Sequence, residues 1–360
     1  MIPIYQPYLP PSSLRYAEDA ISSGWVSCIG KYAELATEQL KEILNVEHVQ
    51  LLNSGTSATH LIAKALQFKH PEIHKVLVPN NCYVAAWNSF LYDRYHELIP
   101  VRASETTWNM DAEEALKQLD DYTAILVVHN VGNIIDVSKF GDAIFVEDNC
   151  EGIFGKYNNQ YSGTKALASS LSFFGNKTIT SGEGGALVTN DPEIYEYAKS
   201  VQGQGQSSTP YVHDRLGHNY RMSNVQAAIL LGQLELLDRI ISMKKRVFEK
   251  YREELPTDTI YIQEQEENTQ HSNWMFGVGV KGSKFSQTKK HMNDKGIDIR
   301  QMFYPMSAHR HLKNIAAPDQ EESACTLNEE CFMVPSYPEL THRDQSFIIN
   351  TILEYGDRHV

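Results

Sequence analysis

Short, mostly apolar runs alternate with segments of helical spacing through the first half of the chain. Runs at 49–52, 75–79, 97–101, 124–128, 144–147, 170–174 and 186–189 read as strands. Between the first two, Ala58, Leu61, Ile62, Ala65 and Leu66 recur at the three-and-four spacing of one helix face. Helices are also predicted over 13–23, stopped by Gly24, over 33–44, and after Asp191-Pro192. This alternation predicts an α/β fold with a mostly parallel central sheet, whose ligand lies beyond the carboxyl ends of the strands. Residues 223–255 read as one long helix opened by the capping box Ser223/Gln226, with an apolar stripe through Val225, Ile229, Leu234, Leu237 and Ile241. Beyond Pro256 the pattern resets. Strands at 259–262 and 274–280 and helices at 286–295 and 343–355 predict a smaller α+β domain, giving a large domain over 1–240 and a small one over 241–360.

Composition narrows the classes. A net charge of −13 argues against a nucleic-acid binder, which needs clustered Lys and Arg. The five cysteines are scattered without a C-x-x-C pair, which suits a reducing cytoplasm and no structural zinc. Residues 1–13 are proline-rich and extended, with no signal-peptide pattern, and no apolar run approaches a membrane span. His309 and His311 are two apart, the wrong spacing for two ligands on one helical face, so no metal is expected. Gly203-Gln204-Gly205 follows no strand and lacks the third glycine of a dinucleotide fingerprint.

Four features carry candidate chemistry. Lys177 sits in a glycine-rich loop between two strands, flanked by Phe173 and Phe174, which offer partial desolvation of a nucleophilic amine. A solvated loop lysine has the same surroundings in sequence. Asn53-Ser54-Gly55-Thr56-Ser57 opens a helix with free N–H groups and hydroxyls, which suits a phosphate and equally describes an ordinary cap. Asp148 follows a buried strand, as a ligand-facing carboxylate or a loop cap, and Tyr83 follows another. Together these are what pyridoxal phosphate requires: a lysine for the Schiff base, an aspartate for the pyridine nitrogen, a cap with Ser172 for the phosphate, and an aromatic ring to stack.

The stretches SFFGNKTITSGEGGALVTND, NSGTSATHLIAKAL, EDNCEG, GHNYRMSNVQAAILLGQLE and VPSYPEL resemble, in order, those of the DegT/DnrJ/EryC1/StrS sugar aminotransferases. Within that family the chain looks most like the GDP-perosamine synthase group. The resemblance implies fold-type I and a cytoplasmic enzyme that moves an amino group from L-glutamate to the C4 ketone of a nucleotide-linked 4-keto-6-deoxyhexose. It implies that Lys177 is the Schiff-base lysine and Asp148 the partner of the ring nitrogen. Glu151 would lie near the ring, where many relatives carry glutamine and the perosamine group carries glutamate. Gly55, Thr56, Ser57 and Ser172 would hold the phosphate, with Asn219 from the partner subunit of a homodimer, and Tyr83 would stack. Ser27, Lys31, Glu183, Tyr304 and His309 would border the sugar nucleotide. A dehydratase branch has histidine at the lysine position, so Lys177 favours amino transfer. Transfer to C3, a dTDP- or UDP-linked substrate, and a non-catalytic binding regulator are the rival readings. Residues 129–147 are shorter than the family pattern, which usually has room for a helix there.

Overall fold

The computed structural model describes residues 1–94 and 96–359. The chain lays down β1 (His48–Leu52), β2 (Lys75–Pro79), β3 (Glu97–Val101), β4 (Thr123–Val128), β5 (Phe145–Asp148), the hairpin β6 (Lys156–Tyr157) and β7 (Gln160–Tyr161), then β8 (Ser169–Ser172) and β9 (Gly185–Thr189). The helices over the same stretch are α1 (Pro11–Ser22), α2 (Lys31–Leu44), α3 (Gly55–Lys69), α4 (Val84–Leu91) and α5 (Ala112–Leu116). α6 (Pro192–Gln202), α7 (Asn224–Leu234) and α8 (Leu237–Glu254) follow. The central sheet runs β1-β9-β8-β5-β4-β2-β3, with β9 antiparallel to both neighbours and the remaining pairings parallel.

Strand side chains alternate between faces, and that alternation builds two cores. Leu52, Val76, Leu126 and Leu187 join Leu61, Ile62 and Leu66 of α3 on one face. Leu51, Leu171, Ala186 and Val188 meet α1, α2 and α7 on the other. Each such side chain is fully or nearly fully buried, which contributes roughly 1.5–3 kcal/mol for each leucine, isoleucine or valine. The connection between β4 and β5 has no α-helix. It makes two 3-10 turns, Asn130–Gly132 and Val137–Phe140, and covers the sheet with Ile135, Val137 and Phe140, with Ala143 beside them.

The expected single helix over 223–255 is two helices. Ser223 and Gln226 do form the capping box, and α7 is buried on nearly all sides. At Leu236 the backbone leaves the helical region (φ −115°, ψ 21°), and the amphipathic α8 sets off toward the second unit. The break falls where the chain passes from a helix enclosed by α1, α2 and the sheet to one with a solvent face.

That second unit is built from β10 (Ile260–Ile262), β11 (Thr269–Gln270), β12 (Phe276–Val280), β13 (Arg300–Gln301) and β14 (Cys331–Val334), with α9 (Phe285–Asp294), α10 (Glu322–Glu330) and α11 (His342–Gly356). Its antiparallel sheet has the order β10-β12-β14-β13. The N-terminal segment crosses to it: Ile2 bridges Ile297, and Ile2 and Tyr5 pack on its core. In return β11 pairs with β6 of the hairpin. Among the described residues no helix is long and apolar enough to cross a membrane.

Candidate active site

The carboxyl ends of β5 and β8, the start of β9 and the first turn of α3 meet at one edge of the sheet. Ser172 pairs with Gly185, which in turn pairs with Leu52, the residue that leads into the α3 cap. Ser54 Oγ accepts the Ser57 N–H at 3.1 Å, and Ser57 Oγ donates to Asn53 Oδ1 at 2.7 Å. At Gly55 a β-carbon would stand 2.7 Å from Ser172 Cβ, 2.8 Å from its Oγ and 3.3 Å from Cys150 Sγ. Glycine alone therefore lets the helix end close on β8. Thr56 is exposed beside it. The first N–H groups of α3 have no acceptor within the helix, and its positive end points to the same place, so Gly55, Thr56, Ser57 and Ser172 form a cradle for an anion.

Beside the cradle lie the ionisable groups. Asp148, 7% exposed, uses Oδ1 to accept from the Cys150 N–H at 3.1 Å and from Ser170 Oγ at 3.4 Å. Lys177 Nζ is 3.8 Å from Glu151 Oε1 and 4.0 Å from the centroid of the Trp274 ring. Glu151 is buried, and that burial pushes its carboxyl up to about 7, while Lys177 and the Val131 N–H, at 2.8 Å from Oε2, pull the other way. Val131 makes this contact from φ +60°, an uncommon conformation for a β-branched residue. Beneath them His129 Nε2 donates to Glu147 Oε2 at 2.8 Å. The tautomer is set by the Ile135 N–H on Nδ1 at 3.2 Å, and Gly163 N–H also donates to Glu147 at 2.8 Å.

The other expected site residues fall in two groups around this centre. Tyr83, 60% exposed, caps α4 with its ring 6.4 Å from that of Phe303. Burial, with the charges of Asp148 and Glu151 adding, raises the neighbouring Cys82 thiol well above its ordinary range, which places the Tyr83 turn near the carboxylates. Pro305 bridges Asn81 and the Met306 N–H donates to Asn80, so Tyr304 and His309 border the same turn. Tyr304 is half exposed and donates to Gln301, while His309 lies edge-on to Trp87 at 5.4 Å. His311 is occupied separately, by Asn88 Oδ1 at 2.8 Å.

The second group gathers at the first turn of α7. Asn224 N–H donates to the Ser27 carbonyl, Asn224 Nδ2 donates to the Trp25 carbonyl, and Gln226 Nε2 donates to the Glu183 carbonyl. Lys31 is already ion-paired with Asp19 at 2.8 Å. Asn219 is tied by its backbone to its own chain, its carbonyl accepting from Asn53 Nδ2 at 3.2 Å, while its exposed side chain accepts from Arg221.

Sequence reasoning misplaced the apolar wall of the lysine. Phe173 is buried in the core but Phe174 is 47% exposed, and the ring over the amine is Trp274, from the distant second unit. Tyr5 was also missed: its hydroxyl donates to the Lys177 carbonyl at 2.6 Å. Both come from segments far away in sequence, and no local pattern marks them.

Residues 9–353 match the family model for the DegT/DnrJ/EryC1/StrS aminotransferase family. The chain belongs to this family. The GDP-perosamine synthases of Escherichia coli O157:H7 and of Vibrio cholerae are each 31% identical to it, over 99% of both chains. Among solved structures, the Escherichia coli GDP-4-keto-6-deoxy-D-mannose-3-dehydratase with bound hydrated pyridoxal phosphate superposes with a TM-score of 0.88. It covers 98% of this chain and 99% of that one at 20% identity, a likeness of fold. The architecture is fold-type I, as expected.

Proposed function

We propose that this chain is a pyridoxal phosphate-dependent aminotransferase that takes its amino group from L-glutamate. Its acceptor is the C4 ketone of a nucleotide-linked 4-keto-6-deoxyhexose, and its product a 4-amino-4,6-dideoxy sugar of the GDP-perosamine type. The observation that carries this reading is the Lys177 amine, 12% exposed and enclosed by Glu151 and Trp274 at the edge where the anion cradle opens. The residues suit the cofactor because the Gly55 cradle would be filled by any β-carbon, and because buried Glu151 lies beside the lysine amine.

When bound, pyridoxal phosphate supplies the aldehyde carbon for a Schiff base and an electron-withdrawing ring. Gly55, Thr56, Ser57 and Ser172 would hold its phosphate, Lys177 its aldehyde carbon, Asp148 its ring nitrogen, and Tyr83 one ring face. Lys177 Nζ then moves the proton released at the α-carbon of the amino donor, acting as general base and later as general acid. Glu151, poised near neutrality, holds or releases a proton beside that amine. Ser27, Lys31, Glu183, Tyr304 and His309 orient the sugar nucleotide. Asn219 reaches the cradle of a second copy in a homodimer, a reading supported by the exposed Tyr211, Val212 and Leu216 on the loop before it.

Incubation with glutamate and GDP-4-keto-6-deoxymannose, followed by mass spectrometry, tests this directly. A gain of amine at C4 is expected. Product formed only from dTDP- or UDP-linked sugars, or at C3, would move the assignment to the rival substrates. Borohydride trapping followed by peptide mapping is expected to find the cofactor on Lys177.

A further inference from the structure

A lysine with no established task lies fully buried at the junction of the two units. Lys244, on α8, is 0% exposed, and burial alone lowers its amine to about 7. Its Nζ donates to the Trp274 carbonyl at 2.7 Å and to the Ser336 carbonyl at 2.9 Å, and lies 5.1 Å from the Tyr5 ring centroid. The ionisable groups facing it are Tyr5 and His271, and no carboxylate is among the causes of its shift. Burying an ammonium without a counter-charge is costly. Packing alone would have been served by methionine.

Two of the groups around Lys244, Trp274 through its carbonyl and Tyr5 through its ring, also hold the reacting lysine. Trp274 presents its ring to Lys177 Nζ at 4.0 Å and donates Nε1–H to the Asn176 carbonyl at 2.9 Å. Tyr5 donates its hydroxyl to the Lys177 carbonyl at 2.6 Å. A third link runs from the Trp274 N–H to Ser272 Oγ, at 3.3 Å, and from that hydroxyl to the Glu151 carbonyl at 2.7 Å. We propose that Lys244 is a positioning residue for Lys177. From the helix between the units it fixes Trp274 and Tyr5, and through them the backbone and the amine of the lysine loop. The proposal rests on the reading of Lys177 as the reacting amine.

The test uses Lys244→Met in the full chain. In cofactor-free protein, acylation of Lys177 by acetic anhydride is quantified on its peptide, with buried Lys64 as the control for general loosening. Release of Trp274 is expected to raise the Lys177 rate by about threefold or more while Lys64 stays at the wild-type rate. In the holoenzyme, kcat is expected to fall about tenfold with the KM for the sugar nucleotide unchanged. Unchanged acylation of Lys177 overturns the proposal, and so does an equal rise at Lys64, which would mark a merely structural role. Should the methionine variant fail to fold, Lys244→Gln, which keeps a donor for one carbonyl, is read by the same criteria. Borohydride trapping on the wild type reports on Lys177 alone, so failure of that reading is separable from failure of this one.

Discussion

Glu151 offers the sharpest numerical test, because its carboxyl is buried and nearly isosteric with an amide. Its folded-state pKa is raised from the ordinary 4.5 to about 7, chiefly by burial. A group whose folded pKa is raised contributes stability that is present below its unfolded value and is lost as pH climbs toward the folded one. The gap between 4.5 and about 7 corresponds to about 3 kcal/mol lost by the wild type once the pH exceeds both values. Glu151→Gln mimics the protonated side chain at every pH, and its amide oxygen can still accept the Val131 N–H. The variant is therefore expected to exceed the wild type by about 1 kcal/mol at about pH 5 and by about 3 kcal/mol at about pH 8. Urea unfolding of cofactor-free protein at the two pH values, with m-values checked for equality, reads this difference. An excess that is the same at both pH values would refute the assignment of a perturbed carboxyl here.

Three further outcomes follow from the geometry. Gly55→Ala puts a methyl 2.7 Å from Ser172 Cβ, and fluorescence titration is expected to show the pyridoxal phosphate Kd rising at least about tenfold, whereas equal affinity would remove the cradle from the site. Asp148→Asn keeps the shape but not the charge and is expected to lower kcat by roughly 100-fold or more, with the KM for the sugar nucleotide little changed in steady-state assays. His129→Leu strands the Glu147 carboxylate, 1% exposed, with the Gly163 N–H as its remaining partner, and urea unfolding is expected to show a loss of about 3–5 kcal/mol.

The seven strands of the central sheet and helices α1, α2, α3 and α6 were legible from local patterns, whereas α4, α5 and the β6–β7 hairpin were not anticipated. Strands buried on both faces, such as β4, are continuous apolar runs, and α3 carries Ala58, Leu61, Ile62, Ala65 and Leu66 at helical spacing. The positions of the α3 cap and of Asp148 were legible for the same reason, since each sits within a few residues of the element that carries it. The break at Leu236 was not, because Leu234 and Leu237 continue the apolar spacing across it and no glycine or proline marks the change. β14 and α10 escaped because Cys331–Val334 is short and its pairing with β12 and β13 is antiparallel and non-local. Trp274 and Tyr5 reach Lys177 only through tertiary packing, so no window along the sequence could have joined them.

The connection after β4 shows how a segment without an α-helix can serve the site. Inside a helix the N–H groups past the first turn are taken up by carbonyls of the same helix. In the 129–135 stretch three of them go to side chains instead: Asn130 N–H to Asn109, Val131 N–H to Glu151, and Ile135 N–H to His129. The last of these sets the His129 tautomer that binds Glu147, the residue immediately before Asp148. One irregular segment therefore steadies the strand that presents Asp148 and holds the carboxylate that faces Lys177. The unusual backbone of Val131 is the geometric condition for the second of those contacts. Relaxing it would leave Glu151 buried with no backbone donor, facing Lys177 at 3.8 Å, so the strain and the poised carboxyl belong to one arrangement.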